Sequence, residues 1–262
     1  MTSNPIILGH RGASTVAPEN TLAAFSRAIS DGADGIEFDV RLSRDGVPVV
    51  IHDATLKRTG LLDRLVCELT AAELHEIDVG SWFRAHGQPD TSFGGEKLPT
   101  LAQVFDLFDK SGLLYVEMKC DAGKGATLAA EVVKLAREFR MDDRVVVESF
   151  DLSAIAEVKR IDAGIRTAAL FEPKVSRPIS TVRRLKMVDT ALAVGADEIA
   201  LHHALAGARV IEKAKRAGLE IVVWTVDGPE WIKRARELGV KALIANNPAT
   251  MVRHRNSGQN LR

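Results

Sequence analysis

Residues 35–53 read GIEFDVRLSRDGVPVVIHD, and this stretch contains two strand patterns with a very short connection between them. Both 35–40 and 47–53 are short runs rich in apolar and β-branched residues, which predicts two strands. The Asp45-Gly46 pair between them is a strong hairpin signal. A parallel crossover needs roughly a dozen residues or more, so the two strands are predicted to be antiparallel neighbours.

The hairpin also predicts which side chains share a face. If the turn has two residues, Arg44 pairs with Val47, and counting back along both strands places Asp39 opposite His52. Glu37 lies two residues before Asp39 and therefore points to the same side of its strand. The sequence thus predicts a common face for Glu37, Asp39 and His52.

Outside this hairpin, strand and helix patterns alternate along almost the whole chain. Further strands are predicted at 6–10, 113–119, 144–150, 166–171, 198–201, 220–226 and 242–246. Helices are predicted at 21–30, 100–110, 125–139, 151–161, 180–194, 206–217 and 229–238. Such alternation indicates an α/β fold with a parallel sheet. About eight units in this length favour a closed (β/α)8 TIM barrel, and no G-x-G-x-x-G opens a helix, which counts against a dinucleotide-binding fold. The hairpin makes nine strands where a regular barrel has eight, so we predict an irregular barrel.

The chain is predicted to be a single TIM-barrel domain over 1–262, with 54–99 as an inserted segment. This is the longest stretch without a βα unit, and insertions after a barrel strand usually shape the mouth. We therefore expect a lid or specificity element, with a capping box at Thr70–Glu73 that opens a short helix. The polar tail from Arg253 is expected to fray.

Composition excludes several classes of protein. The chain has 262 residues, 46% hydrophobic and 27% charged, and its 35 basic and 35 acidic residues give a net charge of zero. No overall field attracts nucleic acid or an anionic membrane. No apolar run approaches the roughly 20 residues that span a bilayer, and no signal peptide opens the chain. We expect a cytoplasmic protein without nucleic acid or stable membrane partners; the oligomeric state is not readable.

Three carboxylates are the first candidates for chemistry. Glu37 and Asp39 project together, and Glu117 lies near the end of the strand predicted at 113–119. Converging carboxylates cannot all stay charged unless a cation compensates them. An all-oxygen ligand set selects a hard divalent cation, Mg²⁺ or Ca²⁺, with Mn²⁺ possible. Salt bridges to nearby basic residues are the alternative, and spacing alone does not separate the two.

Two histidines and two cations lie at the same predicted strand ends. His10 and His52 are near the carboxylates and suit general acid–base catalysis at neutral pH. Arg11 and Lys119 face the same mouth, where a guanidinium beside an ammonium suits phosphate oxygens. The other histidines are interpreted as structural. This interpretation is weakest for His203, because it follows a strand end.

Trp224 lies near the end of the strand predicted at 220–226, at the mouth. An aromatic residue at such a position is more often a packing residue than a substrate contact. Its place at the mouth nevertheless makes Trp224 a candidate substrate contact.

An ordered series of motifs resembles the glycerophosphodiester phosphodiesterase family, most closely its cytosolic bacterial branch. The blocks are HRGAS at 10–14, APENTLAAF at 17–25, IEFDV at 36–40, SRDG at 43–46, IHDATLKRT at 51–59, GSWF at 80–83, LPTL at 98–101, VEMK at 116–119, ESF at 148–150 and WTV at 224–226. A single block would be a weak signal, but their order along nearly the whole chain is a strong one.

The resemblance implies a TIM barrel with one divalent metal ion, for which we favour Mg²⁺. By their match to the family motifs, the functional residues are metal ligands Glu37, Asp39 and Glu117, general acid and base His10 and His52, and phosphate-binding Arg11 and Lys119. Trp224 and His203 are added as candidate substrate contacts at the mouth.

The activity implied is hydrolysis of small glycerophosphodiesters, such as glycerophosphocholine or glycerophosphoethanolamine, to sn-glycerol 3-phosphate and an alcohol. A lysophospholipase D-type hydrolase and a non-catalytic phosphodiester-binding protein are the alternatives. Two positions depart from the family pattern: Ile244–Pro248 reads IANNP where Thr-Asp or Thr-Asn is usual, and Asp227 follows WTV where Asn is common. We expect both to affect alcohol specificity and to leave the chemistry intact.

Overall fold

The computed structural model describes residues 4–85, 88–89, 91–109, 112–173 and 181–257. Its strands are β1 Ile6–His10, β2 Gly35–Leu42, β3 Pro48–Val50, β4 Arg84–Ala85, β5 Gln88–Pro89, β6 Leu113–Met118, β7 Val145–Ser149, β8 Arg166–Phe171, β9 Glu198–His202, β10 Glu220–Trp224 and β11 Ala242–Ala245. Its α-helices are α1 Leu22–Ser30, α2 Ala71–His75, α3 Leu101–Leu107, α4 Gly125–Glu138, α5 Leu152–Ile161, α6 Thr181–Ala193, α7 Ala208–Arg216, α8 Glu230–Leu238 and α9 Pro248–Ser257.

Eight parallel strands close into a barrel. Their order is β1, β11, β10, β9, β8, β7, β6 and β2, and β2 pairs again with β1 to complete the ring. The short β3 pairs antiparallel with β2 outside the ring. The predicted TIM barrel with one extra antiparallel strand is therefore confirmed.

Two apolar layers hold the barrel together. Strand alternation sends Ile36, Phe38 and Val40 of β2 outwards into a large core shared with the surrounding helices. A smaller cluster inside the barrel is built on side chains such as Leu8 and Tyr115. The other face of β2 is left for polar side chains, as the alternating pattern predicts.

The turn between β2 and β3 differs from the prediction. The Ser43 amide donates to the Val47 carbonyl (3.0 Å), and the Gly46 amide donates to the Ser43 carbonyl (3.1 Å). The loop therefore has the three residues 44–46 instead of two. Gly46 has a φ of +79°, the left-handed conformation that such three-residue hairpin loops require.

This longer loop shifts the strand register by one residue. Val40 lies opposite Val50, and the Ile51 amide donates to the Asp39 carbonyl (3.0 Å). The predicted pairing of Asp39 with His52 is wrong, because the loop holds one residue more than a two-residue turn. His52 reaches the barrel mouth by another route: β3 ends at Val50 and the chain bends there.

The inserted segment has a small core of its own. Val49 and Ile51 of the hairpin pack with apolar side chains of the insertion, which are Leu56, Val66, Leu69, Leu74, Val79 and Leu98. Helix α2 opens with the predicted capping box: Thr70 Oγ1 accepts from the Glu73 amide (3.2 Å), and Glu73 accepts from the Thr70 amide (2.8 Å). The insertion is thereby anchored to β3, next to the barrel mouth.

The tail does not fray where the sequence predicts. Helix α9 continues past Arg253 to Ser257. Two of its own side chains, Met251 and Val252, are buried, and Arg255 donates to the Pro5 carbonyl (3.3 Å). Across the described ranges, none of the helices combines the length and apolar character needed to cross a membrane.

A buried ion network closes the end of the barrel where the strands begin. Glu198 is fully buried and accepts hydrogen bonds from the Tyr115 hydroxyl (2.8 Å), Arg166 Nη2 (3.0 Å) and Lys241 Nζ (2.6 Å). Tyr115 lies in β6, Arg166 in β8, and Lys241 immediately before β11, so Glu198 of β9 links four strands. Glu220 joins the edge of this network and is half-exposed.

Replacing Glu198 is expected to destabilise the barrel without touching its mouth. Glu198→Ala should lower the free energy of unfolding by about 3 kcal/mol, since it removes the acceptor of a buried hydroxyl and the shared partner of two cations. Glu220→Gln is the matched control and should cost less than about 1 kcal/mol, as an exposed ion pair does. Urea denaturation followed by tryptophan fluorescence measures both; equal losses would contradict this account.

Candidate active site

A cavity of about 520 Å³ opens at the end of the barrel where the parallel strands finish. Its lining is His10, Arg11, Glu37, Arg41, His52, Glu117, Lys119, Glu148, Phe150, Leu170, Glu172, Trp224 and Ile244. The carboxyl ends of barrel strands are where TIM-barrel enzymes place their catalytic residues. Of the nine residues predicted from the sequence, seven line this cavity.

The three predicted carboxylates converge beneath the cavity. Glu37 and Asp39 come from β2, and Glu117 lies directly beside Asp39 on β6. One oxygen of each lies within 4.8 Å of the other two, and all three residues are buried. Oxygens bonded to one Ca²⁺ at about 2.3–2.6 Å can be this far apart, so the trio could hold a divalent ion.

The three carboxyl groups differ in their pKa values because they are buried close to one another. Burial, followed by the neighbouring Asp39 charge, raises the pKa of Glu37 well above its usual range and that of Glu117 to about 7. Burial acts on Asp39 in the same direction, but Lys119 and Arg11 outweigh it and hold the pKa of Asp39 below its usual range. The cluster therefore has one firmly ionised carboxylate and two that resist ionisation without a further cation.

A fourth carboxylate, Glu148, lies beside the trio and was missed by the sequence reasoning. It sits on β7 opposite Glu117 in the parallel register and is buried. Its Oε2 has no hydrogen-bond partner among the residues that the structure describes. Burial, then Glu37 and Glu117, raise its pKa well above the usual range. An acidic residue near the end of the apolar run 145–149 was the available signal.

The cations present only partly compensate these acids. Lys119 Nζ lies 2.5 Å from Glu117 Oε1 and 3.2 Å from Asp39 Oδ1, while Arg11 Nε lies 3.1 Å from Asp39 Oδ2. Both cations thus contact Asp39, Lys119 also pairs with Glu117, and Glu37 accepts only the Arg11 main-chain amide (3.2 Å) among these contacts. An all-oxygen donor set with excess negative charge fits a hard divalent cation.

Strained backbone places Arg11 in the site. Arg11 has a φ of 54° and Asn20 a φ of 59°, conformations that side-chain-bearing residues rarely adopt and that cluster at functional sites. Gly12 follows with a φ of +86°, and a Cβ there would lie 2.6 Å from the backbone of Ala24. The sequence reasoning did not single out Asn20. Its side-chain Nδ2 donates to Asp39 Oδ2 (2.8 Å), and its main-chain amide donates to the Arg11 carbonyl (3.1 Å).

His10 ends β1 on one side of the carboxylates. Its Nε2 lies 3.8 Å from Glu37 Oε2, and its Nδ1 lies 2.6 Å from Asn246 Oδ1. Burial, followed by the charge of Arg11, lowers the pKa of His10 to about 4. In this environment the imidazole is neutral near neutral pH.

His52 follows β3 and lines the same cavity. Arg41 Nε donates to the His52 carbonyl (2.9 Å) and so holds the bend at this residue. His52 Nδ1 lies 2.6 Å from Asp53 Oδ1, and Arg58 Nε donates to the other Asp53 oxygen (2.7 Å). Burial is the largest influence on the pKa of His52 and lowers it, against the opposing charge of Asp39.

The two stretches that depart from the family pattern contact each other through Asn246 and Asp227. Asn246 Nδ2 donates to Asp227 Oδ2 (2.7 Å), and the Asn247 amide donates to Asp227 Oδ1 (3.0 Å). Asn246 also contacts His10, so the two positions lie beside this histidine, and their expected effect on alcohol specificity stays a prediction. The strand end at Ala245 carries Asn246 to the β1 side of the mouth, which the sequence alone did not reveal.

An aromatic wall faces the polar side of the cavity. Trp224 packs edge-on against Phe150, with ring centroids 5.6 Å apart, and its Nε1 is buried without a hydrogen-bond acceptor among the described residues. His203 lies outside the lining given above: it is exposed, its ring is 4.1 Å from that of His202, and its Nδ1 lies 3.0 Å from the Thr225 carbonyl. Contact of His203 with substrate stays a prediction.

Known proteins with the same sequence pattern and fold identify the family. Residues 10–250 match the Glycerophosphoryl diester phosphodiesterase family. A glycerophosphodiester phosphodiesterase of Caldanaerobacter subterraneus subsp. tengcongensis is 32% identical over 250 residues, covering 94% of this chain and 96% of that protein. A crystal structure of a glycerophosphodiester phosphodiesterase from Agrobacterium tumefaciens is similar with a TM-score of 0.78 and 28% identity, covering 95% of this chain and 99% of the other.

A second solved structure adds a bound product. An Oleispira antarctica phosphodiesterase in complex with the product sn-glycerol-3-phosphate is similar with a TM-score of 0.82 and 25% identity, covering 97% of each chain. The family match spans most of the barrel, and the relatives align over nearly their whole length. The chain therefore belongs to the glycerophosphoryl diester phosphodiesterase family and is an enzyme of that family.

Proposed function

We propose that this enzyme hydrolyses small glycerophosphodiesters, such as glycerophosphocholine and glycerophosphoethanolamine, to sn-glycerol 3-phosphate and an alcohol. His10 and His52 act as general acid and base, and the reaction depends on a divalent ion. One observation carries the proposal: two histidines, two cations and a buried carboxylate cluster share a single cavity. The relative that holds sn-glycerol 3-phosphate supports the product named here.

Arg11 and Lys119 hold the phosphoryl group. Both line the cavity and are mostly buried, so their charges act in surroundings where little water screens them. Their attachment to Asp39 fixes both groups in place before substrate arrives. Preorganised cations of this kind stabilise the negative charge that develops on phosphoryl oxygens in the transition state.

Glu37, Asp39 and Glu117 hold the divalent ion, for which we favour Mg²⁺, with Ca²⁺ and Mn²⁺ as alternatives. The raised pKa values of Glu37 and Glu117, and the presence of only two cations, Arg11 and Lys119, in contact with the trio, support this assignment. When bound, the ion supplies Lewis-acid stabilisation of charge on the phosphoryl oxygens.

The two histidines move the protons. Each has its Nδ1 at hydrogen-bond distance from an oxygen, of Asn246 for His10 and of Asp53 for His52, so Nε2 is the free nitrogen of both rings. One Nε2 takes the proton of the attacking hydroxyl, from the glycerol or from water. The other histidine acts in its charged form and gives the proton of its Nε2 to the oxygen of the departing alcohol, which is otherwise a poor leaving group.

The alcohol end of the substrate lies against the aromatic wall. Trp224 and Phe150 offer ring surfaces, and the Glu172 carboxylate lines the same cavity. Aromatic faces beside a carboxylate suit a quaternary or primary ammonium group such as that of choline or ethanolamine. The insertion at 54–99 completes this side of the mouth as a specificity segment, since it follows His52 and Asp53 directly and Arg58 ties it to both Asp53 and Glu19.

Loss of either histidine is expected to remove most of the turnover. His10→Ala and His52→Ala should each lower kcat by about 10²–10⁴-fold, the range of general acid or base catalysis. Release of sn-glycerol 3-phosphate from glycerophosphocholine measures this. His254→Ala, an exposed change on α9, is the control and should keep full activity. Wild-type turnover in a folded His10 or His52 variant would contradict the assignment.

Metal removal is expected to abolish activity reversibly. Protein stripped with a chelator should lose turnover of glycerophosphocholine, and adding back Mg²⁺, Mn²⁺ or Ca²⁺ should show which ion restores it. Glu117→Gln should raise the concentration of that ion needed for half-maximal activity, because it removes an anionic ligand. Full turnover by stripped protein would rule out the metal requirement.

A lipid phosphodiester is the second candidate substrate, and exposed leucines favour it. Leu61, Leu62 and Leu65 are exposed in the loop after His52, whereas Val66 and Phe83 are buried. Exposed apolar side chains near a mouth can meet a lipid surface.

We expect turnover of glycerophosphocholine to exceed that of lysophosphatidylcholine. An aqueous cavity lined by charged groups favours the soluble diester, and the two substrates share the same headgroup. Parallel assays with the metal-loaded enzyme, together with sedimentation on phosphatidylcholine vesicles, test this. Faster turnover of the lysolipid with vesicle binding would instead establish the lipid substrate.

A further inference from the structure

We propose that Asn246, oriented by Asp227, is a positioning residue for His10. It keeps a hydrogen on Nδ1 of His10, so that Nε2 is the nitrogen that exchanges a proton with the substrate. The inference deepens the proposed function, since it rests on the role of His10 in that reaction. It also gives a purpose to Asp227, which stands where Asn is common in the family.

The contacts around the Asn246 amide decide which way it points. Its Nδ2 lies 2.7 Å from Asp227 Oδ2, and its Oδ1 lies 2.6 Å from His10 Nδ1 and 3.3 Å from Ser14 Oγ. The other Asp227 oxygen accepts from the Asn247 amide, so the carboxylate is itself held by backbone. The contact with Asp227 decides the orientation of the amide, and the contacts with His10 and Ser14 are compatible with it.

The chemistry of these groups then decides the tautomer of His10. An ionised carboxylate only accepts hydrogen bonds, so the end of Asn246 that faces Asp227 must be the NH₂ group. The end that faces His10 is therefore the carbonyl oxygen, which also only accepts. The short contact is a hydrogen bond only if Nδ1 of His10 is the donor.

This arrangement directs proton exchange to one atom. With Nδ1 protonated in both the neutral and the charged ring, only Nε2 gains or loses a proton. Nε2 is the ring nitrogen that lies nearest to the carboxylates, 3.8 Å from Glu37 Oε2. The opposite tautomer would set two acceptors against each other at Nδ1, or would require Asn246 to turn over and lose its bond to Asp227.

The negative charge of the pair is kept away from His10. The neutral amide of Asn246 contacts the imidazole, and the Asp227 carboxylate lies one hydrogen bond further out on the exposed side. Asp227 stands where Asn is common in the family, and Asn246 stands where Asp or Asn is usual. An exchange of the two side chains would keep a donor facing an acceptor, so the two positions form a coupled pair.

The tautomer is read directly by two-bond ¹H–¹⁵N NMR of the full chain, labelled with ¹⁵N-histidine and measured near neutral pH. His10→Ala assigns the His10 signals. The wild-type protein should show His10 with a protonated Nδ1 and an unprotonated Nε2. Asn246→Ala and Asp227→Ala should each yield a mixture of tautomers. This readout needs no turnover, so it is independent of the proposed substrate.

A neighbouring asparagine provides the matched control. Asn247 Oδ1 accepts from the Thr250 amide at the start of α9 and does not contact His10. Asn247→Ala removes only this side-chain cap and keeps the main-chain amide that donates to Asp227, so it should lower the melting temperature and leave the His10 tautomer and kcat unchanged. A shift of the tautomer in this variant would indicate a general loosening of the mouth and would overturn the specific role of Asn246.

Kinetics of an exchange of the two side chains test the catalytic consequence. Asn246→Ala should lower kcat on glycerophosphocholine by about 10–100-fold with little change in KM, as loss of a group that orients a functional histidine does. Asn246→Asp alone places two carboxylates at hydrogen-bond distance and should also lower kcat. The double variant Asn246→Asp, Asp227→Asn restores a donor facing an acceptor and should recover kcat to within a few-fold of wild type.

The outcomes separate this inference from the proposed function. Protonation of wild-type His10 on Nε2, or a tautomer unchanged in both alanine variants, would overturn the inference whatever the substrate. A tautomer that responds as expected in a protein that turns over no glycerophosphodiester would support the positioning role and count against the proposed substrate.

Discussion

Four buried carboxylates at the mouth of the barrel are the constraint around which the site is organised. Glu37, Asp39, Glu117 and Glu148 lie on three adjacent strands with little water to screen them. Buried like charges this close cannot all ionise without compensation. Arg11, Lys119 and the Asn20 side-chain amide all contact Asp39, and Lys119 also pairs with Glu117. Two cations therefore face four carboxyl groups.

Parallel pairing makes this concentration of charge possible. In a parallel sheet the registers of β2, β6 and β7 place residues of equal height side by side, so Asp39, Glu117 and Glu148 form one row. At the opposite end of the barrel, a buried carboxylate has enough partners: Glu198 accepts from one hydroxyl and pairs with two cations. At the Glu198 end, ion pairs within the protein neutralise the buried carboxylate. At the mouth, the buried carboxyl groups outnumber the cations that contact them.

Both histidines are held by contacts outside the carboxylate row. His10 is tied through Asn246 to Asp227, and His52 through Asp53 to Arg58. In each case Nδ1 lies at hydrogen-bond distance from an oxygen, and Nε2 is the nitrogen to which the proposal assigns proton transfer. Asn246 directly follows the last barrel strand, and Asp53 lies in the loop after the hairpin. Closure of the ring between β1 and β11 and the bend after β3 therefore both position the two histidines.

The sequence by itself determined the barrel, the antiparallel hairpin and the seven predicted side chains that line the mouth, because alternation along a strand and the turn signal at Gly46 are local properties. It did not determine the hairpin register, since a loop one residue longer carries the same Asp-Gly signal. Only the tertiary structure placed Glu148 beside Glu117 and joined Asn246 to His10. Those contacts depend on which strands are neighbours in the closed ring, and residues that are far apart in the chain leave no local pattern from which their contact can be inferred.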